Sequence, residues 1–285
     1  MLLMAVKKKL VVGNWKMHPG TLAEAKRDFS TFKKKRLKDV GVTTVICPPF
    51  VYLNDLSRLY FGNKIFFGVQ NLFWKDEGSF TGEIGPNMVK SLGAKFAIVG
   101  HSERRALGEN DEMIAQKVKA SLGADLHTIL CVGEPTRDSH GNYLRFIQGQ
   151  IKDSLRGVSK PSLKKLIVAY EPIWAVGQGN SAMAPHEIHQ MILFIKKQLI
   201  TTYGKKIGDA IPILYGGSTD ADNVHDIVYE GGVDGVLVGR KSLNPHEFAD
   251  MITEVARKPK AKTVRKTIRK PKTTRKTKTK TKSKK

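Results

Sequence analysis

Along residues 1–256, short apolar runs alternate with longer segments whose apolar positions recur every three or four residues. The short runs are Leu10–Gly13, Thr44–Cys47, Ile65–Val69, Phe96–Val99, Thr128–Val132, Leu166–Tyr170, Ile213–Tyr215 and Gly235–Val238. They are β-branched and bounded by Gly, Pro or Asn, as parallel strands covered on both faces should be. Helical spacing between them is clearest over Leu22–Leu37, Asp111–Leu122, Leu144–Leu155, Pro185–Tyr203 and Asn244–Ala256. Asp111 suits an N-cap, Pro185 suits a first helical turn, and a shorter helix over Ala221–Tyr229 closes at Gly231. Eight strand–helix units at this length predict one α/β domain, a closed (β/α)8 barrel over residues 1–256. A doubly wound open sheet would show a similar rhythm, but no G-x-G-x-x-G follows the first run, which weakens its dinucleotide-binding version.

Charge changes the picture only at the end of the chain. The formal charge is +23, from 49 Lys and Arg against 26 Asp and Glu. Residues 257–285 hold 16 of those cations and no acid, so the rest of the chain is only about +7, which is unremarkable. This segment is Lys, Arg and Thr with two prolines and almost no apolar residues; it cannot bury a core and is expected to be a disordered tail. Cys47 and Cys131 lie in or at the end of apolar runs and read as small reduced core residues, which points to a reducing compartment. The N-terminus, MLLMAVKKKL, lacks the order of a secretory signal, and no run approaches the ~20 apolar residues of a membrane helix. A soluble, cytoplasmic protein is expected.

In such a barrel, functional groups stand at the C-terminal ends of different strands. The first run ends in Asn14 and Lys16, two apart and on one side of an extended chain. The fourth ends in His101 and Glu103, again sharing a side while the chain stays extended, and the sixth in Glu171. The seventh and eighth end in the turns Gly216-Gly217-Ser218 and Gly239-Arg240. Each residue alone reads as a solvated charge, a satisfied core histidine, a cap or a tight turn; the argument rests on their falling after separate strands. Together they suit proton transfer beside a carbonyl. Glu171 is the candidate base, and Lys16 brings positive charge to an anionic substrate while Glu103 pairs with it. Gly177, Gly217, Ser218, Gly239 and Arg240 could offer backbone N–H groups to a phosphate. The segment Pro172–Gly179 has an apolar Trp-Ala-Val middle and late glycines, which fits a loop that closes over something.

The segments GNWKM (13–17), FTGE (80–83), VGHSERR (99–105), LCVGE (130–134), YEPIWAVGQG (170–179), YGGS (215–218) and GVDGVLVGR (232–240) resemble the triosephosphate isomerase family, in order, over roughly residues 8–256. The resemblance implies a TIM barrel that interconverts dihydroxyacetone phosphate and glyceraldehyde 3-phosphate without metal or cofactor. It implies Glu171 as base, and His101 as the hydrogen-bond donor to the enediolate and its proton shuttle. Lys16 and Asn14 would stabilise the negative charge. A neutral histidine beside a short helix, here beginning near Ser102, belongs to the general account of this enzyme. It implies a homodimer in which Thr81 reaches the partner's Asn14, with Gln70 and Arg104 supporting loop and site. Gln178, Asn180, Met183, Lys241 and the stretch Pro135–Gly141 depart from the family pattern, which puts lid kinetics and phosphate affinity in question. Two other readings stand beside it: a different phosphate-binding barrel enzyme, and a catalytically dead barrel that binds nucleic acid through its tail. The tail itself is read either as a tether to nucleic acid or another polyanion or as a solvated appendage.

Overall fold

The structure, a computed structural model, describes residues 8–35, 41–175 and 182–258. Eight strands, β1 (Lys9–Asn14), β2 (Val42–Cys47), β3 (Ile65–Val69), β4 (Phe96–Val99), β5 (His127–Val132), β6 (Leu166–Tyr170), β7 (Ile213–Tyr215) and β8 (Gly235–Val238), pair in parallel in chain order and close into a barrel. The connections are α1 (Leu22–Lys34), α2 (Phe50–Arg58), α3 (Pro86–Ser91), α4 (Ser102–Ala106), α5 (Asp111–Gly123), α6 (Asn142–Ser154), α7 (Pro185–Tyr203), α8 (Lys205–Ala210), α9 (Val224–Tyr229) and α10 (Pro245–Ala256). The barrel of the sequence analysis is therefore the observed fold, and the open sheet is excluded by the β1–β8 pairing. Among the described residues no helix is long and apolar enough to cross a membrane.

Period-two alternation divides the strand residues into two buried layers. Leu10, Val12, Val45, Ile98, Ile129, Cys131, Ile167, Leu214 and Leu237 fill the barrel interior. Val11, Ile46, Val99, Leu130, Val168 and Val236 face outward and pack under the helices with Phe29, Phe32 and Phe248. Each such fully buried large side chain contributes about 1.5–3 kcal/mol. Both cysteines are free and buried in the interior, as expected, and burial pushes both thiols up.

The helix termini correct some of the sequence reading. Asn110, not Asp111, caps α5, its side chain accepting from Met113 N, and Asp111 lies in the first turn. The helix over Ala221–Tyr229 starts only at Val224, and the left-handed residue behind it is Gly232 rather than Gly231. Pro185 does open α7. Gly235 is required by crowding: a Cβ there would lie 1.8 Å from Leu10 O, inside the β1–β8 pairing. The residues Arg36 and Leu37, part of the expected first helix, lie outside the described residues, as does the tail from residue 259 onward.

Candidate active site

The mouth at the C-terminal ends of the strands is organised around two backbone features. Lys16 has φ +54, a left-handed conformation that costs a non-glycine residue on the order of 1–3 kcal/mol. Three contacts hold it. Lys16 N donates to Asn14 Oδ1 at 3.0 Å, Gln70 Nε2 donates to Lys16 O at 2.8 Å, and Lys16 Nζ pairs with Glu103 Oε1 at 2.6 Å. Gly239 leaves room for the chain of Lys16, whose Cε would lie 3.3 Å from any Cβ there. Burial pushes the Glu103 carboxyl up, but the hydrogen bond and charge of Lys16 outweigh it and leave the group below its ordinary value.

The second feature is α4. The chain does not stay extended after His101 as expected; His101 caps α4, with Nδ1 accepting from Glu103 N at 3.2 Å. The helix turn still keeps the two side chains together, with Nδ1 3.7 Å from Glu103 Oε2. A ring nitrogen that accepts a backbone N–H carries no proton itself, so the ring's proton is on Nε2. That Nε2 lies 3.5 Å from Glu171 Oε1.

Glu171 is buried at the end of β6, its Oε2 accepting from Ser102 N at 3.2 Å. Its placement needs two glycines. A Cβ on Gly133 would lie 1.8 Å from Glu171 O, and one on Gly216 would lie 2.7 Å from Glu171 Cγ. The Cys131 thiol is raised first by burial and then by the charge of Glu171.

The remaining expected residues are placed as follows. Ser218 stands after β7, but its N–H donates to Ala175 O at 3.2 Å. Gly239 and Arg240 form the turn after β8; Lys241 beside them is drawn away to Glu247 Oε1 at 2.6 Å, in the first turn of α10. Thr81 is exposed on the loop between β3 and α3. Gly177, Gln178 and Asn180 lie outside the described residues.

Sequence reasoning missed two buried clusters that frame the mouth. Glu134 Oε1 accepts from Tyr170 OH at 2.8 Å, Trp174 Nε1 at 3.0 Å and Arg137 Nε at 3.1 Å. Arg137, from the atypical Pro135–Gly141 stretch, also lies over the rings of Trp174 and Tyr143, while Met183 N donates to Tyr215 OH at 3.2 Å. The described residues on both sides of the loop are thus tied down. Behind α4, Glu109 Oε1 accepts from Lys117 Nζ at 2.6 Å and Arg104 Nε at 2.5 Å, and Lys117 also reaches Asn71. Arg104, which the family resemblance implies as a supporting residue, is held here by its ion pair with Glu109. Among the described residues, no group of three or more His, Cys, Asp or Glu converges as metal ligands do.

Comparison with known proteins identifies the family. The family model described as triosephosphate isomerase matches residues 9–255. The chain belongs to the triosephosphate isomerase family. A triosephosphate isomerase of Thermoanaerobacter sp. is 37% identical over 249 residues, covering 87% of this chain and 99% of that protein. One of Dehalococcoides mccartyi is 39% identical over 249 residues, covering 87% and 96%, and one of Roseiflexus sp. is 40% identical over 247 residues, covering 85% and 96%. The protein is thus an isomerase of this family, and no barrel of another phosphate-binding class need be considered.

Proposed function

We propose that the mouth interconverts dihydroxyacetone phosphate and D-glyceraldehyde 3-phosphate through an enediolate, as a step of glycolysis and gluconeogenesis. The supporting observation is the buried pair Glu171 and His101, 3.5 Å apart at the ends of β6 and β4, with the proton of the imidazole on the nitrogen facing the carboxylate. Glu171 takes the proton from the carbon beside the carbonyl and returns it to the neighbouring carbon. His101 donates its Nε2 proton toward the oxygen where negative charge develops and shuttles it between the two oxygens. Lys16 supplies fixed positive charge. Asn14 has its Oδ1 occupied by Lys16 N, which leaves its NH2 as the group it offers to the same charge. The carboxylate now rests on Ser102 N, so it must leave that bond to act.

Phosphate is bound by N–H groups of Gly177, Ser218, Gly239 and Arg240. Because Ser218 N–H is held by Ala175 O, phosphate capture there requires that bond to break. The reading extends to a homodimer. The exposed Thr81 and Phe80, the latter 43% exposed, occupy a loop that needs a second chain to be covered. Sedimentation at the mass of one chain in active protein would remove that extension.

A coupled assay of glyceraldehyde 3-phosphate turnover tests the central claim. Glu171→Gln should lower kcat by about 10³-fold or more, a loss at the upper range for a general base. Well-folded wild-type protein with no turnover would overturn it.

A further inference from the structure

A second concave site lies at the N-terminal end of the strands, opposite the mouth. It is a groove of about 570 Å³ where α2 leads into β3 and α3 into β4. Small-molecule sites typically run from about 300 to 1,000 Å³. Tyr60 builds one wall. Its OH accepts from Lys64 N at 3.1 Å and Ile65 N at 3.3 Å, and its ring stands edge-on to the buried Phe29, with centroids 6.3 Å apart. Gly62 lets that ring fold back, since a Cβ there would lie 2.5 Å from Tyr60 Cζ. Phe61, between them, also lines the groove but is 96% exposed. One exposed aromatic is ordinary by itself; its surroundings make it informative.

The charged side chains lining the groove are Arg58 and Lys95, both exposed, and no carboxylate lines it. Neither cation has an ion-pair partner among the described residues. Asp55, the acid of α2, is taken by Lys26 at 2.5 Å. The helices α2 and α3 end at the groove, and bare carbonyls there would disfavour an anion. These carbonyls are covered. Leu56 O accepts from Leu59 N, Ser57 O from Tyr60 N, Leu59 O from Lys33 Nζ, Lys90 O from Gly93 N and Met88 O from Ser91 Oγ. The helix dipole accounts for Arg58, in the last turn of α2. It accounts neither for Lys95, which precedes β4, nor for the missing carboxylate. The amide side chains of Asn54 and Asn63 line the same groove without a hydrogen-bond partner among the described residues. Each offers both a donor and an acceptor.

We propose that this groove binds a mononucleotide, with its base on Phe61, its phosphate at Arg58 and Lys95, and its polar edge at Asn54 and Asn63. Charge complementarity selects an anion, because the lining holds two cations and no acid. Phe61 selects a planar ring, since every base has a face that stacks on an aromatic side chain. The two amides select a ring with hydrogen-bonding edges over a plain aryl group. A sugar phosphate would leave Phe61 uncovered, and an uncharged nucleoside would leave both cations without a partner. The groove is at the far end of the strands, so an occupied groove leaves the mouth open, and the assignment does not depend on the chemistry performed there.

The test is isothermal titration calorimetry of the full chain with AMP. AMP should bind with Kd below about 1 mM, and adenosine and ribose 5-phosphate each at least about tenfold more weakly. Phe61→Ala should weaken AMP about tenfold, through loss of the base stack, and leave ribose 5-phosphate unchanged. Arg58→Ala combined with Lys95→Ala should weaken AMP by about tenfold or more and leave adenosine unchanged. All three side chains are exposed, so the variants should fold, with the isomerase rate of wild type as the check. Weaker AMP binding than stated, or equal AMP binding by wild type and both variants, would overturn the proposal. So would an AMP-dependent rise in KM for glyceraldehyde 3-phosphate, which would place the nucleotide in the mouth. Phenyl phosphate bound as tightly as AMP would overturn the assignment to a nucleotide.

Discussion

The two ends of this barrel handle charge in opposite ways. At the mouth, most of the described ionisable groups are bonded to a named partner: Glu171 to Ser102 N, His101 to Glu103 N, Lys16 to Glu103, Glu109 to Lys117 and Arg104. At the N-terminal end they are many, mostly lysine, and exposed. A group that must act on one atom of a substrate needs a shell that fixes it, and the shell brings burial with it. A charge that only needs to be near water needs neither.

The largest expected contrast is in stability. Lys117 and Glu109 are 2% and 3% exposed, and Glu109 Oε2 already has no hydrogen-bond partner among the described residues. Lys117→Met removes one side of a buried pair and should destabilise the fold by about 3 kcal/mol, Arg104 keeping the loss from being larger. Arg156 and Asp153, 72% and 38% exposed around the end of α6, form an ion pair of similar length. Arg156→Ala should cost less than about 1 kcal/mol. Urea unfolding of both variants decides the matter; equal losses would mean that burial is not what separates the two ends.

A smaller effect is expected on the lysine of the mouth. Glu103→Gln leaves Lys16 with a weaker, neutral partner in a strained backbone and should lower kcat/KM about tenfold, about 1.4 kcal/mol of transition-state stabilisation, with little change in unfolding. The sign with pH follows from the lowered Glu103 carboxyl. A depressed carboxylate contributes its stabilisation above the ordinary glutamate value and loses it as pH falls through the lower folded value. The pairing is therefore complete at neutral pH and well into the acid range. A variant whose kcat/KM equals wild type would show that Asn14 and Gln70 hold Lys16 without help.

Most of the barrel was legible because its strands are buried on both faces and so read as continuous apolar runs: Ile65–Val69, Phe96–Val99 and Leu166–Tyr170 are strands over those same residues. Short helices such as α2, α3 and α8 were not legible, being too brief to show a period. Asn14, Lys16, His101 and Glu171 were legible as candidates because each ends or follows a strand. The two clusters behind them could not. Glu109 and Lys117 are eight residues apart and look like surface charges until folding buries both. Glu134 and Arg137 read as a loop, and only the fold brings Trp174 and Tyr170 to them. The His101–Glu103 proximity was anticipated for the wrong reason, since it comes from a helix cap and not from extended chain.

The smallest effect should come from a histidine that opens a strand at the far end. His127, the first residue of β5, stacks on Phe96 with ring centroids 4.9 Å apart. Burial pushes its pKa down to about 4, the charge of Lys165 adds to this, and Asp125 opposes it. Between pH 6.5 and about 4 the unfolded chain therefore binds more protons at this residue than the folded one, and stability falls as pH falls through that window. Screening at a partly exposed site limits the loss to about 1 kcal/mol or less. His127→Phe keeps an aromatic ring against Phe96 and removes the titration. Carboxylates elsewhere also contribute to acid unfolding, so the readout is the difference between the two Tm curves from neutral pH down to about 4.5. The curves should converge as pH rises and separate as it falls, with the variant above. Parallel curves would mean that His127 is protonated as readily in the barrel as in the unfolded chain, and that even this half-buried ring at the lysine-rich end behaves as the rest of its surroundings do.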